Sequence, residues 1–142
     1  MEAEMADPRT VLERGIELWN AHDREGWVGL FDEAAELQAP GGIQAHGRAG
    51  AELFYDTWNE AFPNNTIEAA VVFGTGEHGA DEARFTGTHS GTLRTPNGDI
   101  PATGRSVVSN FAVVARVRND QLTSFHIYFD VAELLGQLGL MQ

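Results

Sequence analysis

The chain has 142 residues, with 21 acidic side chains against nine basic ones, a net charge of −12 and no cysteine. That length can bury a core without a metal or disulfide staple, and the missing cysteines exclude a disulfide framework, a thiolate metal site and a cysteine nucleophile together. The acidic balance repels a phosphate backbone and leaves no basic stripe, so nucleic acid is not an expected partner.

The first ten residues are acidic and contain proline, where a secretory signal would be basic and then apolar, and no apolar run reaches membrane-spanning length. The expectation is a cytoplasmic protein without a membrane partner. All nine basic residues are arginine, beside abundant alanine and glycine, which points to GC-rich bacterial coding.

Asp7 before Pro8 reads as an N-cap followed by proline at the first helical position, and Val11, Leu12, Ile16 and Trp19 recur near helical spacing, so a helix is expected over 8–22. Asp23 can cap a second, shorter helix that buries Trp27, Leu30 and Phe31, followed by an extended segment over 35–40 that Gly41 and Gly42 break. A third helix, over 48–62, carries Ala51, Phe54, Tyr55 and Trp58 on one side and stops at Pro63-Asn64-Asn65. From Thr66 the period changes to two. Strands are expected over 66–74, 82–94, 105–118 and 121–129, separated by turn signals at 77–79, 97–98 and 119–120, with a closing helix over 131–138.

Helices first and hairpin-linked strands afterwards predict an α+β fold in one domain spanning 1–142. Gly87, Gly91 and Gly104 interrupt the strands where bends or bulges let a long sheet curl. A curved, mostly antiparallel, cone-shaped sheet closed by the N-terminal helices would enclose a pocket.

Two motif matches fail on context. Gly74 to Gly79 has the G-x-G-x-x-G spacing, but a strand-like segment follows where a dinucleotide site needs a helix N-terminus, so the stretch reads as a hairpin turn. Asn64-Asn65-Thr66 matches a glycosylation acceptor with no secretory signal to expose it. The histidines at 22, 46, 78, 89 and 126 show no pairing that would place two imidazoles on one ion, and no nucleophile elbow surrounds any serine. No metal or other cofactor is expected.

His126, Tyr128 and Asp130 alternate along the last strand and share one face, with Phe125, Ile127 and Phe129 on the other. If the polar face is concave, a carboxylate, an imidazole and a phenol meet over an apolar cavity, the inventory for acid–base work on a carbonyl compound, and desolvation would raise the pKa of Asp130. Asp130 also precedes a helix, with Glu133 three residues on, so it reads equally as an N-cap. His89 falls in phase with Phe85 and Leu93, as a buried core histidine or a second catalytic candidate. Trp19, Phe54, Tyr55 and Trp58 have the spacing of a helix face that packs in the core and lines the pocket. On the 105–118 strand Val108, Ala112 and Val114 oppose Phe111 and Val113 in phase, so both faces carry apolar groups and a homodimer through the outer sheet face is expected.

Residues 86–93 (TGTHSGTL), 103–105 (TGR), and 124–130 (SFHIYFD) with 134–139 (LLGQLG) resemble the SnoaL-like polyketide cyclases of the nuclear transport factor 2-like superfamily. The resemblance implies a cone fold, homo-oligomers, and cofactor-independent aldol closure of a ring in a polyketide-like ester. It also implies an acid/base aspartate at the end of the last long strand, the position of Asp130. His89, His126 or Tyr128 would then donate to the developing enolate. The chain departs from the superfamily's ketosteroid isomerases where their base precedes a proline, since Ala39 precedes Pro40 here. The expected ligand is a small apolar or aromatic carbonyl compound. A binding protein without catalysis, or an isomerase or hydrolase such as an epoxide hydrolase, would use the same cavity.

Overall fold

A computed structural model describes residues 7–140. Asp7 accepts a 2.8 Å hydrogen bond from the Thr10 N–H and Pro8 takes the first helical position, so α1 (Pro8–Asn20) begins where the sequence predicts. Its inner side buries Val11, Leu12 and Trp19. The helix is tied to the sheet at its far end, where the Asn20 amide donates to the Ile67 carbonyl and accepts from the Ile67 N–H, both at 2.8 Å. A short α2 (Arg24–Val28), capped by Asp23, follows.

The second helix ends before Phe31, and the expected short extended segment is the nine-residue strand β1 (Phe31–Ala39). Phe31 belongs to this strand because it pairs with Leu122 far along the chain, a partner that local spacing cannot reveal. Gly41 and Gly42, at φ +90° and +76°, turn the chain into β2 (Ile43–His46), and α3 (Gly47–Ala61) packs back over β1.

Two long hairpins complete the main sheet: β3 (Thr66–Thr75) with β4 (His78–Thr88), and β7 (Ser106–Arg118) with β8 (Gln121–Phe129). The six strands lie in the order β2-β1-β8-β7-β4-β3, antiparallel except for the parallel pair β1–β8. Register shifts in β1, β3 and β8 mark bulges, which bend strands and raise their twist. Helices α1 and α3 lie across the resulting concavity, the α+β cone expected.

The strand expected over 82–94 stops at Thr88. A Cβ at position 91 would run into the Glu60 carbonyl oxygen, and the Gly91 N–H donates to the Ala61 carbonyl at 3.1 Å, so the chain leaves the sheet to meet the end of α3. Beyond it β5 (Leu93–Thr95) and β6 (Gly98–Ile100) form a separate two-stranded hairpin. The closing α4 (Val131–Gln137) docks on β7 through Gln137, whose amide accepts from the Val108 N–H at 2.6 Å and donates to its carbonyl at 2.8 Å.

Candidate active site

The inward face of β4 runs Gly79, Asp81, Ala83, Phe85, and that of β7 runs Val107, Ser109, Phe111, Val113, Ala115; register pairs Asp81 with Val113 and Phe85 with Ser109. Asp81 thus occupies a core position between apolar strands and under α1. It helps line a chamber of about 80 Å³ walled by aromatic rings, among them Trp19, Trp27, Phe54, Trp58, Phe85 and Phe125. Five residues, Phe54, Trp58, Phe125, Phe129 and Leu134, also line a wider mouth of about 670 Å³ bounded by the β1–β2 turn, α3, α4 and the β5–β6 hairpin.

Among the described residues Asp81 is the one ionisable side chain lining the chamber. It is 5% exposed, and its Oδ1 has no hydrogen-bond partner. Burial penalises the carboxylate and pushes its pKa up to about 7, against a smaller downward pull from the Val113 backbone N–H. A carboxyl poised there holds both protonation states at neutral pH, the condition for taking a proton and returning it. Candidate hydrogen-bond donors also line the walls. Trp19 is engaged, giving its indole N–H to Asn65 Oδ1 at 2.6 Å, whereas those of Trp27 and Trp58 have no partner among the described residues.

The residues proposed from sequence fall in three places. Trp19, Phe54 and Trp58 line the chamber, and Tyr55 is buried in the adjoining core. The polar face of β8 points outward, a correction of the concave placement: Tyr128 is 54% exposed, and His126 lies on the outer face with Nε2 3.7 Å from Glu36 Oε1. Asp130 is exposed and caps α4, accepting the Glu133 N–H at 3.0 Å. The physical reason is hydrophobic: with Phe125, Ile127 and Phe129 in alternate positions, turning the polar face inward would drive three large apolar groups into water.

His89 is fully buried but lies past the end of β4, outside the chamber lining, with its ring 5.3 Å from that of Phe62. Its Nδ1 accepts the Thr103 N–H at 3.2 Å and lies 2.9 Å from the Thr103 hydroxyl, so it ties the base of the β5–β6 hairpin together. Asp81 was missed, although the phase argument that joins His89 to Phe85 joins Asp81 to it as well. No cluster of three or more histidine or acidic side chains that could hold a metal occurs among the described residues, and no described helix is long and apolar enough to cross a membrane.

This cone of curved sheet and covering helices is the nuclear transport factor 2-like, ketosteroid isomerase-like architecture. The SnoaL-like domain model matches residues 12–125, and the chain belongs to that family. Solved structures agree on the fold. A candidate SnoaL-like polyketide cyclase from Jannaschia sp. CCS1 superposes with a TM-score of 0.83 at 16% identity, over 100% of this chain and 99% of that one. IdmH, a candidate polyketide cyclase from Streptomyces antibioticus, gives 0.77 at 24% identity over 94% and 99%. A protein of ketosteroid isomerase-like fold from Catenulispora acidiphila DSM 44928, in complex with trimethylamine, gives 0.76 at 18% identity over 95% of each. No curated protein matches the chain.

Proposed function

We propose that the protein is a cofactor-independent acid–base enzyme acting on a neutral, apolar carbonyl compound, with Asp81 as its proton-transfer group. The observation that carries this reading is a buried carboxyl with an unpartnered oxygen in an aromatic chamber. In the cyclase form of the reaction the Asp81 carboxylate takes a proton from carbon next to a carbonyl, leaving an enolate. Its carbon then attacks a second carbonyl of the same molecule, forming one carbon–carbon bond, and the resulting alkoxide receives the proton back from Asp81. The free indole N–H groups of Trp27 and Trp58 are the available donors to developing negative charge on oxygen. Family membership and neighbours described as candidate polyketide cyclases support a polyketide-like ester as substrate.

The test needs no knowledge of the natural substrate. 2-Tetralone in D2O exchanges its acidic methylene hydrogens by the same first step, visible by NMR. The wild-type protein should accelerate exchange over buffer, Asp130→Asn should retain the acceleration, and Asp81→Asn should lose it. Equal exchange by wild type and Asp81→Asn overturns the assignment.

One observation favours a second reading, binding without turnover. Aromatic faces around a single carboxylate suit a small alkylammonium ion, and the neighbour of the same fold holds trimethylamine. Trimethylamine binding that tightens as pH rises through 7, with no exchange of 2-tetralone, would select it.

We further propose a homodimer through the outer sheet face. Phe73, Val71, Val114 and Tyr128 are each about half exposed there, and cross-strand register places Phe73, Ala80 and Val114 in one row.

A further inference from the structure

The Asn64-Asn65-Thr66 stretch between α3 and β3 reads in sequence as a turn, yet Asn65 is fully buried and every polar atom of its side chain is engaged. Its Nδ2 donates to the Phe62 carbonyl at 2.7 Å and to Asn59 Oδ1 at 2.9 Å, and Asn59 is itself oriented by donating to the Tyr55 carbonyl at 2.9 Å. Those acceptors fix which end of the Asn65 amide is nitrogen and leave Oδ1 to receive the Trp19 indole N–H at 2.6 Å. On β4, Gly87 makes the room: a Cβ there would stand 3.2 Å from the Cβ atoms of Asn65 and Phe62.

Any carbonyl would satisfy one indole N–H, whereas a buried amide brings two N–H groups that need acceptors of their own. What the more demanding arrangement adds is an oxygen held in one place from α3. It faces a ring that lines the chamber: Trp19 meets Trp27 and Tyr55 edge-on, both with ring centroids 5.1 Å apart, and Phe54 at 6.1 Å. Without that oxygen the N–H of Trp19, a residue 3% exposed, would be a buried donor free to claim a ligand oxygen or to turn its ring against Trp27. With it Trp19 offers the chamber only an apolar wall, and its N–H is withdrawn from the set of donors.

We propose that Asn65 is a positioning residue: it holds the Trp19 ring and, through the edge contact, sets the Trp27 indole whose N–H is available to the enolate. The catalytic consequence rests on the acid–base reading proposed for Asp81, whereas the coupling from Asn65 through Trp19 to Trp27 is read without any turnover.

The experiment uses Asn65→Leu, which keeps the size and loses the acceptor, with two readouts. In NMR spectra of the indole N–H groups the Trp27 resonance should move along with that of Trp19. Initial rates of 2-tetralone exchange at several concentrations should show kcat lower by about fivefold, the worth of one neutral hydrogen bond. KM should stay unchanged, since the donor serves charge that develops only in the transition state. In a Trp19→Phe background Asn65→Leu should lower kcat no further. A lower melting temperature with the Trp27 resonance unmoved and kcat unchanged makes Asn65 a structural staple and overturns the proposal, as does a further loss of kcat in the Trp19→Phe background. If Asn65→Leu does not fold, Asn65→Ser, too short to reach the Trp19 N–H, is read in the same way. If the wild type exchanges no 2-tetralone, the acid–base reading fails and the Trp27 resonance alone decides the role of Asn65.

Discussion

Asp81 stands directly opposite Val113 across the β4–β7 ladder, so a carboxyl group occupies a place in the core that its neighbours on the same face give to alanine and phenylalanine. Its pKa rises from 3.8 to about 7 on folding, so between those values the native state binds more protons than the unfolded one. Stability then falls as pH rises across the window, by up to roughly 4 kcal/mol at 1.36 kcal/mol per pK unit. Asp81→Asn should remove this slope. Urea midpoints at pH 5 and pH 8 measure it, and a wild-type difference equal to that of the variant would contradict the raised pKa.

His89 works in the opposite sense. Burial lowers its pKa below 6.5, so its contribution is fully present above that value and is lost as pH falls through it. His89→Gln should lose less stability between pH 7 and pH 5 than the wild type, in the same urea titration.

Asp130 is a cap, and its removal should read as one. Asp130→Ala should cost about 1 kcal/mol and Asp130→Asn less, because the amide oxygen can still accept the Glu133 N–H. Thermal melts check the stability, and 2-tetralone exchange should be unchanged in both variants.

Gly15 lies within α1 and lines the chamber. A Cβ there would meet Leu30 Cδ1 at 3.5 Å and Trp27 Nε1 at 3.9 Å, which are ordinary contacts. Gly15→Ala should therefore stabilise the helix by about 1 kcal/mol while narrowing the space beside the Trp27 N–H. A higher melting temperature with slower 2-tetralone exchange is the expected pair of results.

The outer-face dimer predicts that Val114→Arg sediments as a monomer where the wild type is a dimer at micromolar concentration. Phe73→Glu should act in the same direction, since both side chains stand on that face. A monomeric wild type would remove the proposal.

Much of the architecture was legible in residue spacing. The Asp7-Pro8 start of α1, the turn at Asn119-Asp120 and the two-residue period of the later strands are local signals, and the structure places elements at all three. The extent of β1 was not legible, because Phe31 becomes a strand residue only through pairing with Leu122. The site was misread for a different reason. Alternation on β8 establishes two faces but not which is concave; the three apolar groups Phe125, Ile127 and Phe129 decide it by turning inward, which puts His126 and Tyr128 outside. On β4 the needed signal was present in Asp81, Ala83 and Phe85, an acid in phase with core residues.

The place of β8 in the sheet bears on how the chain reaches this structure. It is the last strand in sequence, yet it lies between β1 and β7, and it alone joins the β2–β1 pair to the β7-β4-β3 meander. Trp27 and Phe31, near the start, find Phe125 only when that strand arrives, with ring centroids 6.0 and 5.4 Å apart. Contacts of such sequence separation slow folding, because a long loop must close before they form. A chain emerging from the ribosome would hold two unjoined sheet fragments with exposed aromatic faces until Gln121–Phe129 appears, an interval in which aggregation competes with folding.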